Sequence, residues 1–327
     1  MLQAGMVFCI VLENRTAQRA MVQNNTISYI CSVVNKTNIF ILISFFSFLQ
    51  CTSQKEITSN RCDTKYPILL VHGIAYRDDI PFLKYWSRIP KKLEKQGATV
   101  YLAHQDAFNS HIENALQVKE RINEVLEKTG SEKVNIIAHS KGGIESRYVI
   151  TKLGMADKVA SLTTLATPHR GSALADTIFA FLERRNFVDQ SVKLIRKYAR
   201  FIGDKEPNIF LAGKNLTVEY MAHFNQSVPN MPIVYYQSYG GVVTENYPAW
   251  HIRIQHKLMD KAEGKNDCIV SKDSYQWGNF KGVATSNDDF GVSHFDIVGM
   301  RFVSQVSSFD ADHFIINIVK ELKERGY

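Results

Sequence analysis

The sequence predicts a doubly wound α/β domain with a mostly parallel sheet, and three observations carry that prediction. Tyr66-Pro-Ile-Leu-Leu-Val-His-Gly-Ile74 is an unbroken apolar run ending in His-Gly, which suits a central strand buried on both faces. Val134-Asn-Ile-Ile-Ala-His-Ser-Lys-Gly-Gly143 begins as a second such run and passes through small residues into a helical pattern at Ile144–Leu153. Around these two stretches, strand-like and helix-like segments alternate, the order expected of a parallel sheet with helices on its faces.

Composition is consistent with this architecture. The chain has 327 residues, 45% hydrophobic and 22% charged, enough to bury a core without disulfides. Its net charge of +7 is scattered among acids rather than gathered into a stripe, which argues against nucleic-acid binding and leaves only a general attraction to anionic surfaces. The five cysteines, at positions 9, 31, 51, 62 and 268, show neither metal-ligand spacing nor a disulfide framework.

Taken in order, residues 1–33 are polar and irregular. Ile39–Leu49 is an apolar run too short to span a bilayer comfortably, preceded by Lys36, and it reads as a secretory h-region. The natural start is therefore expected near Val34 and the mature chain outside the cytoplasm. Cys51, directly after Leu49-Gln50, is placed as the lipidated cysteine of an exported lipoprotein would be. Residues 1–50 are thus an extension with a signal-like segment, 51–65 a polar linker, and 66–327 the catalytic domain. Beyond the first strand, a helix is expected at Tyr85–Gln96, a strand at Thr99–Ala103, a long helix at Ile112–Thr129 and the second core strand at Lys133–Ala138. A further strand follows at Ala160–Ala166, closed by Thr167-Pro-His-Arg-Gly-Ser172. Residues 173–200 then turn helical and amphipathic, with Leu174, Ile178, Phe181 and Leu182 on one face and Val188, Val192, Ile195 and Ala199 at similar spacing. They are either ordinary core helices or part of a cap, about residues 173–230, over the site. Met231–Ser238 resumes the sheet, and Phe314–Arg325 closes the chain as a helix.

The chemistry centres on Ser140. A serine at a sharp strand-to-helix turn needs small residues two positions before and after it, and Ala138 and Gly142 meet that need. Its hydroxyl becomes nucleophilic only when a histidine takes its proton and an acid orients that histidine. In the chain order typical of this turn the acid comes next and the histidine last. Of the late histidines, His313 sits at the mouth of the final helix, whereas His294 sits in a loop, Phe290-Gly-Val-Ser-His-Phe-Asp-Ile-Val298, and is preferred. For the acid, Asp267 follows a Gly-Lys-Asn turn, with Asp260 and Asp273 as rivals. The oxyanion of the tetrahedral intermediate calls for preorganised donors. The backbone N–H of Lys141 is one, and the N–H of Ile74, next to Gly73, is the other. His72 reads as a structural residue holding that loop.

Together, Tyr66-Pro-Ile-Leu-Leu-Val-His-Gly, Ala138-His-Ser-Lys-Gly-Gly, Thr167-Pro-His-Arg-Gly-Ser, Asn266-Asp and Ser293-His-Phe-Asp resemble the bacterial triacylglycerol lipases of the α/β-hydrolase superfamily. The resemblance covers about residues 66–300. It implies an α/β-hydrolase fold with a helical lid, Ser140, Asp267 and His294 as the triad, and a lipid ester substrate met at a membrane or lipid interface. In many relatives it also implies a structural calcium beside the histidine loop. Asp296 matches one family calcium ligand, Met300 stands where a glutamine is usual, and Glu245 is the remaining candidate for the second acidic ligand. Cys268 stands where the family usually has glycine, and Asp273 replaces a cysteine, so the disulfide of some relatives is missing. No cofactor is required for the chemistry. The expected function is serine-dependent hydrolysis of lipid esters. A short-chain esterase or lipid acyltransferase with the same triad is the nearest rival, and a catalytically silent surface-binding protein is a rival of another class.

Overall fold

Why the second apolar run becomes a buried strand is visible in its neighbours. In the computed structural model, which describes residues 61–80, 84–184, 188–205, 207–300 and 307–327, Val134–His139 (β3) lies in the middle of a parallel sheet. The strands beside it are Ile68–Val71 (β1) and Val159–Leu165 (β4), and all three are buried along their whole length. Val100–Leu102 (β2) lies outside β1, while Tyr235–Gly240 (β5) and Asn279–Val283 (β6) continue the sheet beyond β4. Among the described residues the order is β2-β1-β3-β4-β5-β6, every pair parallel. The expectations for residues 1–60, including the signal-like segment and Cys51, lie outside the described residues.

Helices cover both faces. Ile89–Lys95 (α1) and Ala311–Glu324 (α10) pack with Ile68, Leu70 and Ile137 on one side. His111–Thr129 (α2) and Lys141–Thr151 (α3) pack with Leu69, Val71 and Ile136 on the other. The alternation of β1 and β3 side chains between these two clusters is the pleat at work. Helix α2 begins at Ser110, whose side chain accepts the Glu113 N–H, and ends at Gly130 in the left-handed conformation.

Two expected boundaries move, each for a local reason. Helix α1 starts at Ile89 rather than Tyr85, because Ser87 has φ +49° and ends helical continuity there. Strand β5 starts at Tyr235 rather than Met231, because Val234 N–H turns back to the Met231 carbonyl at 3.1 Å. The segment at 173–200 is two helices, Ala173–Arg184 (α4) and Val188–Phe201 (α5). Ile209–Lys214 (α6) and Val218–Ser227 (α7) follow, so the whole excursion lies between adjacent strands β4 and β5. Trp250–Glu263 (α8) and the short Lys272–Tyr275 (α9) connect β5 to β6. Strand β6 is not foreseen in the sequence. It is a half-exposed edge strand whose Asn-Phe-Lys-Gly-Val carries little apolar signal.

Arg147 ties α3 to α7 through the core. Its guanidinium stacks 3.7 Å over the Trp277 ring and donates to the Val228 carbonyl and Asn225 Oδ1, each at 2.9 Å. Its partners are neutral, and burial pushes its pKa down to about 9. The free thiols of Cys62 and Cys268 are both buried.

Two stability predictions arise here. A β-carbon at Gly142 would lie 2.3 Å from the His72 carbonyl oxygen and 2.7 Å from that of Val71, backbone atoms that cannot swing aside. Gly142→Ala is expected to cost roughly 3 kcal/mol or more, read as a fall in thermal midpoint. Gly143→Ala, whose nearest contacts are all side-chain atoms of Thr167 rather than backbone, should cost less. The second concerns pH. Burial holds His139 and His169 well below the ordinary histidine value and brings His111 down to about 4. Such rings take up their protons only on unfolding, so stability is retained above about pH 6.5 and lost as pH falls below it. Thermal melts from pH 8 to pH 4.5 should show a loss on the order of 1 kcal/mol per pH unit for each histidine below pH 6.5. A flat profile would contradict it.

Candidate active site

Ser140 follows the last residue of β3 and caps α3, and its backbone sits at φ +54°, ψ −129°. A non-glycine residue holds that conformation only where its surroundings over-determine it. Here they do: Ser140 N–H donates to the Leu165 carbonyl at 2.9 Å, and Gly142 and Gly143 let the helix meet β1 and Thr167. The turn pushes the serine toward a cavity of about 380 Å³ whose lining includes Ser140, His294, Ile74, Leu174, Ile178, Phe179 and Ile269. Most of that lining is apolar. Helix α4 thus supplies one wall through Leu174, Ile178 and Phe179, while Phe181 stays exposed.

His294 sits in the loop after β6, and its Nδ1 lies 2.9 Å from Asp267 Oδ2. Its backbone N–H also donates to the Asp267 carbonyl at 2.8 Å. Asp267 is fully buried, and its other oxygen accepts the Ile269 and Val270 N–H groups at 3.0 and 2.7 Å. Those bonds hold the carboxylate in place against the imidazole, whose Nδ1 is thereby committed to the acid. The rivals lie elsewhere. Asp260 and Asp273 are exposed, as is His313, whose N–H is capped by Asp310.

Cys268, next to the acid, has φ +84° and is fully buried. That left-handed backbone explains why the family resemblance puts glycine there. In this chain a side chain is accommodated in a small cluster with Val243, Tyr247 and Ile252.

The Lys141 side chain is engaged away from the cavity. Its ammonium is buried against Glu145, which also accepts from Asn114 at 2.7 Å and Gln105 at 3.1 Å. The Lys141 N–H belongs to the first turn of α3, where N–H groups have no acceptor within the helix. The Gly73 carbonyl lies 2.7 Å from His72 Nδ1, and the peptide is trans, so the Ile74 N–H on the same peptide points the opposite way. His72 Nε2 lies 2.9 Å from the Gln105 carbonyl, so this histidine holds the loop. A β-carbon on Gly73 would lie 2.7 Å from both Ser140 Cβ and the Tyr85 hydroxyl, so glycine alone fits.

Sequence reasoning did not single out Tyr85 and His139, which also line the cavity. The only signal was position: His139 directly precedes the serine, and Tyr85-Trp86 is an aromatic pair buried just before α1.

Asp296, the residue matched to a calcium ligand, is buried, and its Oδ2 accepts from Ser293 N–H at 2.9 Å, Ser293 Oγ at 2.7 Å and the Tyr247 hydroxyl at 2.8 Å. Glu245 is exposed, and Met300 is a buried core residue. Among the described residues the one cluster of three metal-type side chains is Asp78, Asp79 and His104, where Asp79 is paired with Arg77 and Asp78 with His104.

Comparison with known proteins agrees with this architecture. A family model described as the alpha/beta hydrolase fold matches residues 66–206. Triacylglycerol lipase 2 of Saccharomyces cerevisiae is 28% identical over 266 residues, 75% of each chain. A triacylglycerol lipase of Vibrio cholerae is 34% identical over 210 residues, 60% of this chain and 65% of that protein. The crystal structure of Staphylococcus hyicus lipase superimposes with a TM-score of 0.58 at 18% identity, covering 80% of this chain and 97% of that one. The chain has the α/β-hydrolase fold and is similar to triacylglycerol lipases of bacteria and yeast.

Proposed function

We propose that this protein hydrolyses carboxylic esters of lipids, triacylglycerols among them, through an acyl-enzyme on Ser140. The observation that carries the reading is a strained serine and a carboxylate-oriented histidine on the wall of one largely apolar cavity. Ser140 Oγ attacks the ester carbonyl while His294 Nε2 takes its proton, and Asp267 holds the imidazole in the tautomer that leaves Nε2 free. The Ile74 and Lys141 N–H groups receive the oxyanion. His294 then protonates the departing alcohol, and water deacylates the serine by the same route in reverse. The acyl chain lies against Leu174, Ile178 and Phe179, beneath a cap formed by residues 173–230. No step calls on a metal.

The apolar cavity favours long acyl chains over short ones, because each buried methylene contributes about 0.8 kcal/mol. With a p-nitrophenyl ester series from acetate to palmitate, kcat/KM is expected to rise with chain length. Ser140→Ala should abolish turnover, and Asp267→Asn should lower kcat by roughly 10⁴-fold with the fold intact. Turnover confined to acetate and butyrate would make this an esterase. Product appearing only when an alcohol acceptor is supplied would make it an acyltransferase. No serine-dependent turnover on any ester would refute the reading and favour a binding role.

The apolar run at Ile39–Leu49 supports export, with Cys51 as a lipid-anchored residue. No helix among the described residues is long and apolar enough to cross a membrane. Mass spectrometry of the native mature chain should find Cys51 at its N-terminus carrying acyl groups. A mature chain beginning at Met1 would sink this.

A further inference from the structure

A line of three hydrogen bonds runs from the loop after β1 to the backbone of His294. Gly73 N–H donates to the Tyr85 hydroxyl at 2.8 Å. The Tyr85 oxygen lies 2.5 Å from His139 Nδ1, and His139 Nε2 lies 3.0 Å from the His294 carbonyl oxygen. Chemistry at the two ends sets the direction. A carbonyl can only accept, so His139 Nε2 carries the proton. The ring is buried and 4.6 Å from the His294 ring, which keeps a second proton off and leaves Nδ1 as an acceptor. Tyr85 O–H therefore donates to Nδ1, and its oxygen is left to accept from Gly73.

These groups come from four separate stretches of chain. Gly73 precedes the oxyanion donor of Ile74, Tyr85 lies in the turn before α1, His139 ends β3 beside Ser140, and His294 follows β6. With its N–H bonded to the Asp267 carbonyl and its C=O to His139, the His294 backbone is held on both sides. The Gly73 residue is likewise held on both sides, its N–H by Tyr85 and its C=O by His72.

We propose that Tyr85 and His139 are positioning residues that hold the oxyanion loop and His294 in one register, so that oxyanion donor and proton shuttle reach the same substrate carbon. The proposal rests on the Ser140–His294–Asp267 reading. Neither side chain is asked to transfer a proton to substrate; each acts through the peptide it holds. The effect should therefore appear in the chemical step rather than in binding.

The test uses the full chain with Tyr85→Phe, His139→Gln and the double variant, on the p-nitrophenyl ester that the wild type turns over best. Tyr85→Phe keeps the ring and removes only the hydroxyl; His139→Gln keeps a donor toward the His294 carbonyl and removes the link to Tyr85. Each single variant is expected to lower kcat roughly 10- to 100-fold with KM within about twofold. The double variant should be no worse than the weaker single, because one broken line is not broken twice. Hydrogen exchange of the Gly73 amide should accelerate in Tyr85→Phe while the β3 amides keep their protection, which separates a local release from general unfolding. Wild-type kcat in Tyr85→Phe, or single losses that multiply in the double variant, would overturn the proposal. Should Tyr85→Phe fail to fold, His139→Gln decides alone, and an unchanged kcat there overturns it. Wild-type protein without Ser140-dependent turnover would instead strike the functional reading itself, before any variant is compared.

Discussion

Everything around the cavity depends on how closely α3 approaches β1. At Gly142 the helix backbone rests almost on the carbonyl groups of Val71 and His72, with no space for a methyl group. That approach brings the end of β3 and the end of β1 side by side, so the serine after one strand and the loop of Ile74 after the other line the same cavity. The strained dihedrals of Ser140 are the local cost of the same geometry. They are sustained because the flanking strand is fully buried and the following helix is packed along nearly its whole length. A sheet with less apolar surface on β1, β3 and β4 could not hold a serine there.

Polar groups in this interior are consequently linked into sets. Glu145 is surrounded by Lys141, Asn114 and Gln105, and Gln105 in turn holds the His72 carbonyl at 2.8 Å. In a low-dielectric interior each such group is costly when unpartnered and stiff when satisfied. The loop that carries Ile74 is therefore braced from below by this set and from the side by Tyr85. Were this loop to receive an oxyanion, as proposed, such bracing would keep its reorganisation small, the condition under which backbone donors are effective.

Much of this could be read from residues alone, and the reasons are physical. Ser140, Asp267 and His294 stand out because the turn imposes small neighbours, the chemistry demands a base and an acid, and chain order prunes the candidates. The central strands stand out because burial on both faces writes an uninterrupted apolar run. What stayed hidden depends on distant partners. Nothing local tells Tyr85 that it will meet His139, since the two come together only when the turn before α1 packs against the end of β3. Strand β6 is hidden for the opposite reason: at a half-exposed edge, backbone pairing with β5 holds it, and its side chains carry little apolar signal. The hydrogen-bond donors gathered around the Asp296 carboxylate are likewise not visible in its motif.

The helices α4 to α7 leave the sheet at the end of β4, and the chain returns to it at the start of β5, strands that lie side by side with Ser161 opposite Tyr235. The length of this segment is therefore a matter of closing a loop between two fixed points. Doubling such a loop raises the entropic penalty by only about 0.6 kcal/mol. Helices can be added, lost or resequenced there over generations at little expense to the sheet. Change in the cavity wall that α4 supplies is thereby uncoupled from Ser140, Asp267 and His294, which lie outside this segment.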